Sequence, residues 1–345
     1  MSILSWGLIK MSQIMSNNNS FDKIKAMESQ RNIMSQLVSV GKTTKYWSEN
    51  KISEIRSYKD FKNNVPLRHY IDFQPYINRI LQGELNVLWN GLPIYMVRSL
   101  ENNNEKYVPI TSIFLDNYIN GIKLTVFNYI NSTKDVKSFI NKHYFLSISS
   151  SDYPIAFKEK IPAGDILQIV DNYVPWYIRN RYITLDSNNQ NLLSNKQISI
   201  IFGNIEAIDR FITNATNKDI FNELSLIINN INDSYNKDRS IKILNKNVNS
   251  LSVYLKPEGF IANQKNTNEQ DFSLQLNNNI FFEFIPVQTL SDQKPQRLSI
   301  DSVELNQEYV MAISTSAGLW ACLLDDVIKF TSLVPYKIQI IDHIK

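Results

Sequence analysis

The chain has a single cysteine, Cys322, so neither a disulfide framework nor a site of several thiolates can form within it. Its three histidines, His69, His143 and His343, are too far apart for two of them to share one helical face, which excludes an HExxH zinc helix. Glycine is scarce: nine in 345 residues, where an ordinary chain has about 7%. The nine sit singly, from Gly7 to Gly318, and build neither GxGxxG nor GxxxxGK, so no dinucleotide fingerprint and no Walker loop is present. Long apolar runs are missing as well. Ile280-Phe281-Phe282 is broken by Glu283 and Met1–Ile9 meets Lys10, both far short of the roughly 18–20 residues of a membrane span. The first residues offer no basic stretch and no small-residue cleavage site, so no signal peptide is expected. Nor does charge of one sign dominate. Lys+Arg 36 against Asp+Glu 33 leaves +3, too weak a field to argue for nucleic acid or an anionic membrane. The expectation is a soluble, cytoplasmic protein of a reducing compartment.

What is present is a core. A hydrophobic share of 43% against 20% charged excludes a disordered chain, and the length suits two domains or one large composite. Residues 1–15 read as a helix. In 20–41, Ile24, Met27, Ile33, Met34, Leu37 and Val38 recur at helical spacing, with Asp22 as a cap and Gly41 as a left-handed stop. Residues 112–132, 165–185 and 205–233 read as helical, the last with a possible strand at Leu224–Ile228, and 197–203 as a buried strand. Lys106–Thr111 is strand-like, and Pro109 places it at an edge or a strand end. After residue 250 the texture changes to β-branched and aromatic runs joined by polar turns: Ser252–Leu255, Ile280–Val287, Tyr309–Thr315, Val327–Leu333 and Tyr336–Ile341. The expected organisation is an N-terminal helix over 1–20, an α/β core domain over 21–250 and a β-rich subdomain over 251–345. No internal repeat is visible, and the triplet runs at Asn17–Asn19, Asn102–Asn104 and Asn277–Asn279 read as turns.

Five segments carry more than pattern: Val65–Trp89 (VPLRHYIDFQPYINRILQGELNVLW), Lys106–Thr111 (KYVPIT), Tyr254–Gln264 (YLKPEGFIANQ), Phe281–Val287 (FFEFIPV) and Val303–Ile340. In order and spacing they resemble the Gretchen Hagen family of auxin-responsive-promoter proteins, the acyl-acid amido synthetases, in its bacterial version. The resemblance implies an α/β fold like the large N-terminal domain of adenylate-forming ligases, with a smaller antiparallel β subdomain. It implies ATP and Mg²⁺ as cofactors, and a carboxylic acid and an amino acid as substrates. Such an enzyme makes an acyl-adenylate and passes the acyl group to an amine, using phosphate donors, a carboxylate for Mg²⁺, a ribose acceptor and a mobile C-terminal domain.

Against that pattern the positions can be read one by one. The family's small-residue phosphate loop falls on Arg98–Lys106, where no glycine occurs and Ser99 and Lys106 are the family-like positions; read from the residues alone, this is a solvated polar turn. Glu258 matches the acidic residue that supports Mg²⁺, and Tyr254 the aromatic near the base. Gly259 and Phe260 keep the family's turn, while Pro257 replaces a Ser or Thr. The same Glu258-Gly259 pair equally reads as a plain turn leaving a strand. Asp326 matches the aspartate that takes the ribose hydroxyls, Asp325 stands for a glycine and Ala321 for an arginine. As neighbours on a strand the two aspartates would point to opposite faces, although a turn explains them as well. Cys322, in an apolar run, reads as a buried inert thiol. The family's His-Gly-Gly segment falls on Ile228–Ile231, which has none of the three, and the chain stops at Lys345, where the family turns into the hinge and mobile domain. The functional expectation is a degenerate, catalytically impaired ligase relative. The alternatives are an active adenylating enzyme completed by a separate chain, and a non-enzymatic scaffold or binding protein.

Overall fold

The computed structural model describes residues 3–18, 21–101, 104–140, 143–148, 155–156, 161–174, 176–185, 193, 196–230 and 248–344. In chain order the elements are α1 (Ile3–Asn18), α2 (Lys23–Gly41), α3 (Lys45–Glu49), α4 (Tyr58–Asn64), α5 (Gln74–Leu81), β1 (Tyr95–Glu101), β2 (Asn104–Ile110), α6 (Ser112–Thr133), α7 (Lys137–Ile140), β3 (Tyr144–Ile148), β4 (Ile155–Ala156) and β5 (Pro162–Gly164). Then follow α8 (Ile166–Asp171), α9 (Trp176–Arg179), β6 (Tyr182–Leu185), β7 (Ile198–Asn204), α10 (Ile205–Asn214), β8 (Leu226–Asn230), β9 (Asn249–Lys256), β10 (Gly259–Asn263), β11 (Phe272–Leu274), β12 (Ile280–Pro286), β13 (Glu308–Thr315), β14 (Cys322–Leu333) and β15 (Tyr336–His343).

Among the described residues one sheet of eleven strands runs β12-β13-β14-β15-β11-β10-β9-β8-β7-β3-β6. Strands β6, β3, β7, β8 and β9 are parallel neighbours, and from the β9–β10 pair onward every pairing is antiparallel. Residue 250 therefore lies inside β9, the strand at which parallel pairing gives way to antiparallel. A second sheet, β2-β1-β5-β4, holds the hairpin β1–β2, with the proline-bearing β2 at its edge as expected.

The N-terminal helices are sewn to the antiparallel half. Asp22 caps α2 by accepting from the Lys25 backbone N–H at 2.8 Å. Two turns further in, Gln30 donates to the carbonyls of Leu276 and Ile280 and accepts from Phe282 N–H, so a buried amide docks α2 on β12 with its polar atoms paired. Gly41 is not the left-handed stop the sequence suggested. It ends α2 beneath the Trp320 ring, where a Cβ would lie 2.4 Å from a ring carbon, so close packing requires the glycine. Trp320 is fully buried and meets Trp47 edge-on at 4.8 Å between ring centroids, the centre of one apolar cluster.

Helix α6 opens with Thr111, which accepts from Phe114 N–H, and lies across β10 where Gly121 faces the Phe260 ring. Two expected helices break up. Residues 165–185 divide into α8, α9 and β6, because Ile183 and Leu185 sit in a strand that pairs with β3. Residues 205–233 end as a helix at Asn214, and the possible strand at Leu224–Ile228 forms as β8 from Leu226, residues 231–233 lying outside the described ones. Both were ambiguous short apolar runs, which sheet pairing resolves.

Candidate functional site

In an open parallel sheet, ligands bind beyond the carboxyl ends of the strands. At the end of β9 the chain places Tyr254 and Lys256 two residues apart, hence on one face, followed by a tight turn through Pro257 and Glu258. Gly259 closes the turn at φ +150°, and a Cβ there would sit 2.7 Å from Ile280 and 3.1 Å from Phe114, so both the backbone and the space call for glycine. Helix α6 fixes the turn. Tyr118 Oη donates to Pro257 O at 2.6 Å, and Phe260 N–H donates to Asn117 Oδ1 at 2.6 Å.

Glu258 is 2% exposed and forms an ion pair with Lys106, itself 5% exposed and reaching in from β2. The Lys106 ammonium also lies 4.6 Å from the centre of the Tyr70 ring, a cation–π contact. Burial opposes charge on Glu258, yet Lys106 and then Lys256 outweigh it and hold the carboxyl below its ordinary value. Its second oxygen, Oε2, is buried without a hydrogen-bond partner.

Asp326, 1% exposed, lies on β14 opposite His343 of β15. Lys256 Nζ stands 2.6 Å from Asp326 Oδ2, Tyr254 Oη donates to the same oxygen, and His343 Nδ1 lies beside Oδ1. Burial disfavours the Lys256 ammonium, but Asp326 and then Glu258 overcome it and raise its pKa. Burial, followed by the Asp326 carboxylate, pushes the Tyr254 hydroxyl well up, so it serves as a neutral donor. Asp325 is exposed on the opposite face of the strand, so the alternation expected of strand neighbours is what the structure shows.

Lys106, Tyr254, Glu258, Gly259 and Asp326 thus converge on one buried cluster. Ser99 joins only through the ladder. The flanks of Arg98–Lys106 are strand rather than turn: β1 and β2 pair Ser99 with Lys106 and Leu100 with Glu105, and residues 102–103 lie outside the described ones. Ser99 Oγ is buried and has no hydrogen-bond partner. Arg98 and Tyr107 bind Glu105, so that acid is paired across the hairpin. Where the family has His-Gly-Gly, Asn230 bonds the Leu255 backbone in both directions and Asn229 accepts from Ser250 and Ser252, which ties β8 to β9; Ile231 lies outside the described residues. Cys322 is fully buried and burial raises its thiol pKa, as expected of an inert thiol.

Sequence reasoning missed Lys256 and His343. Lys256 was open to it, since a lysine two residues from a matched tyrosine on a strand must share its face. His343 was not, because its place opposite Asp326 depends on the β14–β15 register.

The chain matches the GH3 family N-terminal domain over residues 20–198 and the GH3 family central domain over residues 273–343. No curated protein matches it in sequence. Among solved structures it is similar to a GH3.15 acyl acid amido synthetase, at 13% identity and a TM-score of 0.72, covering 92% of this chain and 68% of that one. The AtGH3.15 acyl acid amido synthetase in complex with 2,4-DB is similar at 14% identity and a TM-score of 0.66, over 94% of this chain and 71% of that one. An open conformation of 2-hydroxyisobutyryl-CoA ligase, in complex with 2-HIB-AMP and CoA, gives 10% identity and a TM-score of 0.57 over 90% and 73%. These likenesses establish the fold of the adenylate-forming ligases. With more than half of its residues inside the family's own N-terminal domain, the chain belongs to the GH3 family.

Proposed function

We propose that this protein is a GH3 member of the acid–amino acid ligase kind in which acyl-adenylate formation has been lost. The kinship implies ATP with Mg²⁺, a carboxylic acid and an amino acid as the ligands of the working enzymes, and a cytoplasmic setting. The observation that carries the reading is the hairpin. An anion-binding loop needs several adjacent backbone N–H groups converging on one point, which small or glycine residues allow. In this chain the corresponding segment is an antiparallel ladder, with Arg98 opposite Tyr107 and Glu101 opposite Asn104. Alternate pairs of such a ladder exchange their N–H and C=O groups, so the described residues of the segment, 98–101 and 104–106, leave no run of neighbouring donors for a triphosphate.

The matched carboxylates support the same reading. Glu258 and Asp326 are nearly sealed from solvent, and internal cations already engage both. The test is acid-dependent ATP–pyrophosphate exchange with a panel of aromatic and aliphatic acids. No exchange above background is expected, and exchange with any acid overturns the proposal.

A further inference from the structure

We propose that Lys106, a position shared with the family, and Lys256 together neutralise Glu258 and Asp326, so that this cluster engages its ligands without metal. The inference rests on the GH3 kinship and is tested apart from the loss of activity. Glu258 is the residue whose family counterpart supports Mg²⁺, and its surroundings do not fit that ion. Mg²⁺ requires near-octahedral oxygen ligands, usually one or two carboxylates completed by water and phosphate. Among the described residues no group of three or more His, Cys, Asp or Glu could hold a metal ion.

The charges argue more strongly than the ligand count. Glu258 Oε1 is paired with Lys106, and the two side chains are 3% and 7% exposed. Asp326 Oδ2 receives both Lys256 and Tyr254, and Oδ1 faces His343. Two ammonium groups set against two carboxylates already cancel, leaving no negative charge to draw in a dication. A dication at Glu258 would also lie a few ångströms from a buried ammonium, where repulsion at an effective dielectric near 20 removes orders of magnitude of affinity. The Tyr70 ring, 4.6 Å from Lys106 Nζ, gives that ammonium a second reason to stay. Two acceptors of the cluster lack a hydrogen bond, Glu258 Oε2 and Asp326 Oδ1; His343 stands beside the second, and the first suits an N–H or O–H donor of a ligand.

Mn²⁺ titrations followed by electron paramagnetic resonance, near neutral pH on the full chain, test this. The wild type is expected to show no bound Mn²⁺ that Glu258→Gln removes. Lys106→Met should bind Mn²⁺ more than about tenfold more tightly than the wild type once the like charge is gone. Adding Glu258→Gln to that variant should cancel the gain, and Lys106→Arg, which keeps the cation, should behave as the wild type. A wild-type Mn²⁺ site that Glu258→Gln abolishes overturns the inference. So does a folded Lys106→Met that gains no Mn²⁺. Should Lys106→Met fail to fold, wild type against Glu258→Gln decides alone. Pyrophosphate exchange that proceeds equally in Mg²⁺ and in EDTA would overturn the functional proposal while leaving this inference standing.

Discussion

Two buried ion pairs in this molecule are built on opposite principles. Arg297 grips Glu283 with two nitrogens, Nε at 2.9 Å and Nη2 at 2.5 Å, and its Nη1 donates to the carbonyls of Lys62 and Val65. Glu283 is fully buried, and both its oxygens are taken. The pair ties β12 to the last turn of α4 and the residue that follows it. Lys106 meets Glu258 as a point charge on one oxygen, and the other oxygen has no hydrogen bond. Arginine's rigid fork suits a permanent join, whereas a lysine on a flexible stem leaves a carboxylate half satisfied. The first pair completes its hydrogen bonds as a structural element should. The second sits at the end of β9, where the fold places ligands, and keeps an acceptor in reserve.

The largest expected effect follows from the better-satisfied pair. Arg297→Met should lower unfolding stability by about 3–5 kcal/mol, since it strands a buried carboxylate and two backbone carbonyls together. Urea denaturation measures it, and a loss under about 1 kcal/mol would make the two pairs alike. Lys106→Met should cost less, because Glu258 can take up a proton once its counterion is gone. The sign can be worked out. In the wild type the Glu258 pKa lies below its ordinary value of 4.5, so its contribution is present above that pH and is lost as pH falls through the depressed value. In Lys106→Met burial would instead raise that pKa, so the deficit should be large at pH 8 and shrink toward pH 5. A deficit that does not vary with pH would show that packing, not charge, is what Lys106 supplies.

A half-buried carboxylate, for which no cation is found among the described residues, sharpens the contrast. Burial pushes the Asp171 pKa up to about 6, and Asp165 adds to the rise against the opposing hydrogen bonds from Thr184 and Tyr182. Its Oδ1 has no hydrogen-bond partner. A folded-state value above the ordinary 3.8 means that stability falls as pH rises from near 4 to about 6 and then levels. Asp171→Asn should therefore raise the melting temperature at pH 8, by a gain on the order of 1–3 kcal/mol, and do nothing at pH 4. An equal change at both pH values would remove ionisation from the explanation.

The framework was legible because its signals are local. The period of α2, the proline that confines β2 to an edge and the β-branched runs of β12 to β15 each report on their own segment. The cluster was half legible. Tyr254, Glu258 and Asp326 could be picked out by resemblance, but that Lys106 and Lys256 would neutralise them depends on which strands become neighbours. Segments such as Leu226–Ile228, a short apolar run fit for helix or strand, and Gly41, whose need for a missing Cβ comes from Trp320 far along the chain, were decided by partners that no local pattern names.

The smallest expected effect discriminates most finely between a phosphate loop and a hairpin. If Ser99 still served a phosphate loop, Ser99→Ala would weaken nucleotide binding and leave stability alone. As a strand residue paired with Lys106, its hydroxyl is buried without a hydrogen-bond partner, and such a group carries a desolvation cost with nothing to offset it. Removing it should be neutral or stabilising, by at most about 1 kcal/mol, and should leave any ATP titration unchanged. Calorimetry with ATP in the presence of Mg²⁺, on wild type and Ser99→Ala side by side, gives both answers when paired with a melting curve. A clear loss of ATP affinity in the variant would mean that the β1–β2 hairpin opens to receive phosphate, and the proposal that adenylation is lost would need a cause elsewhere in the molecule.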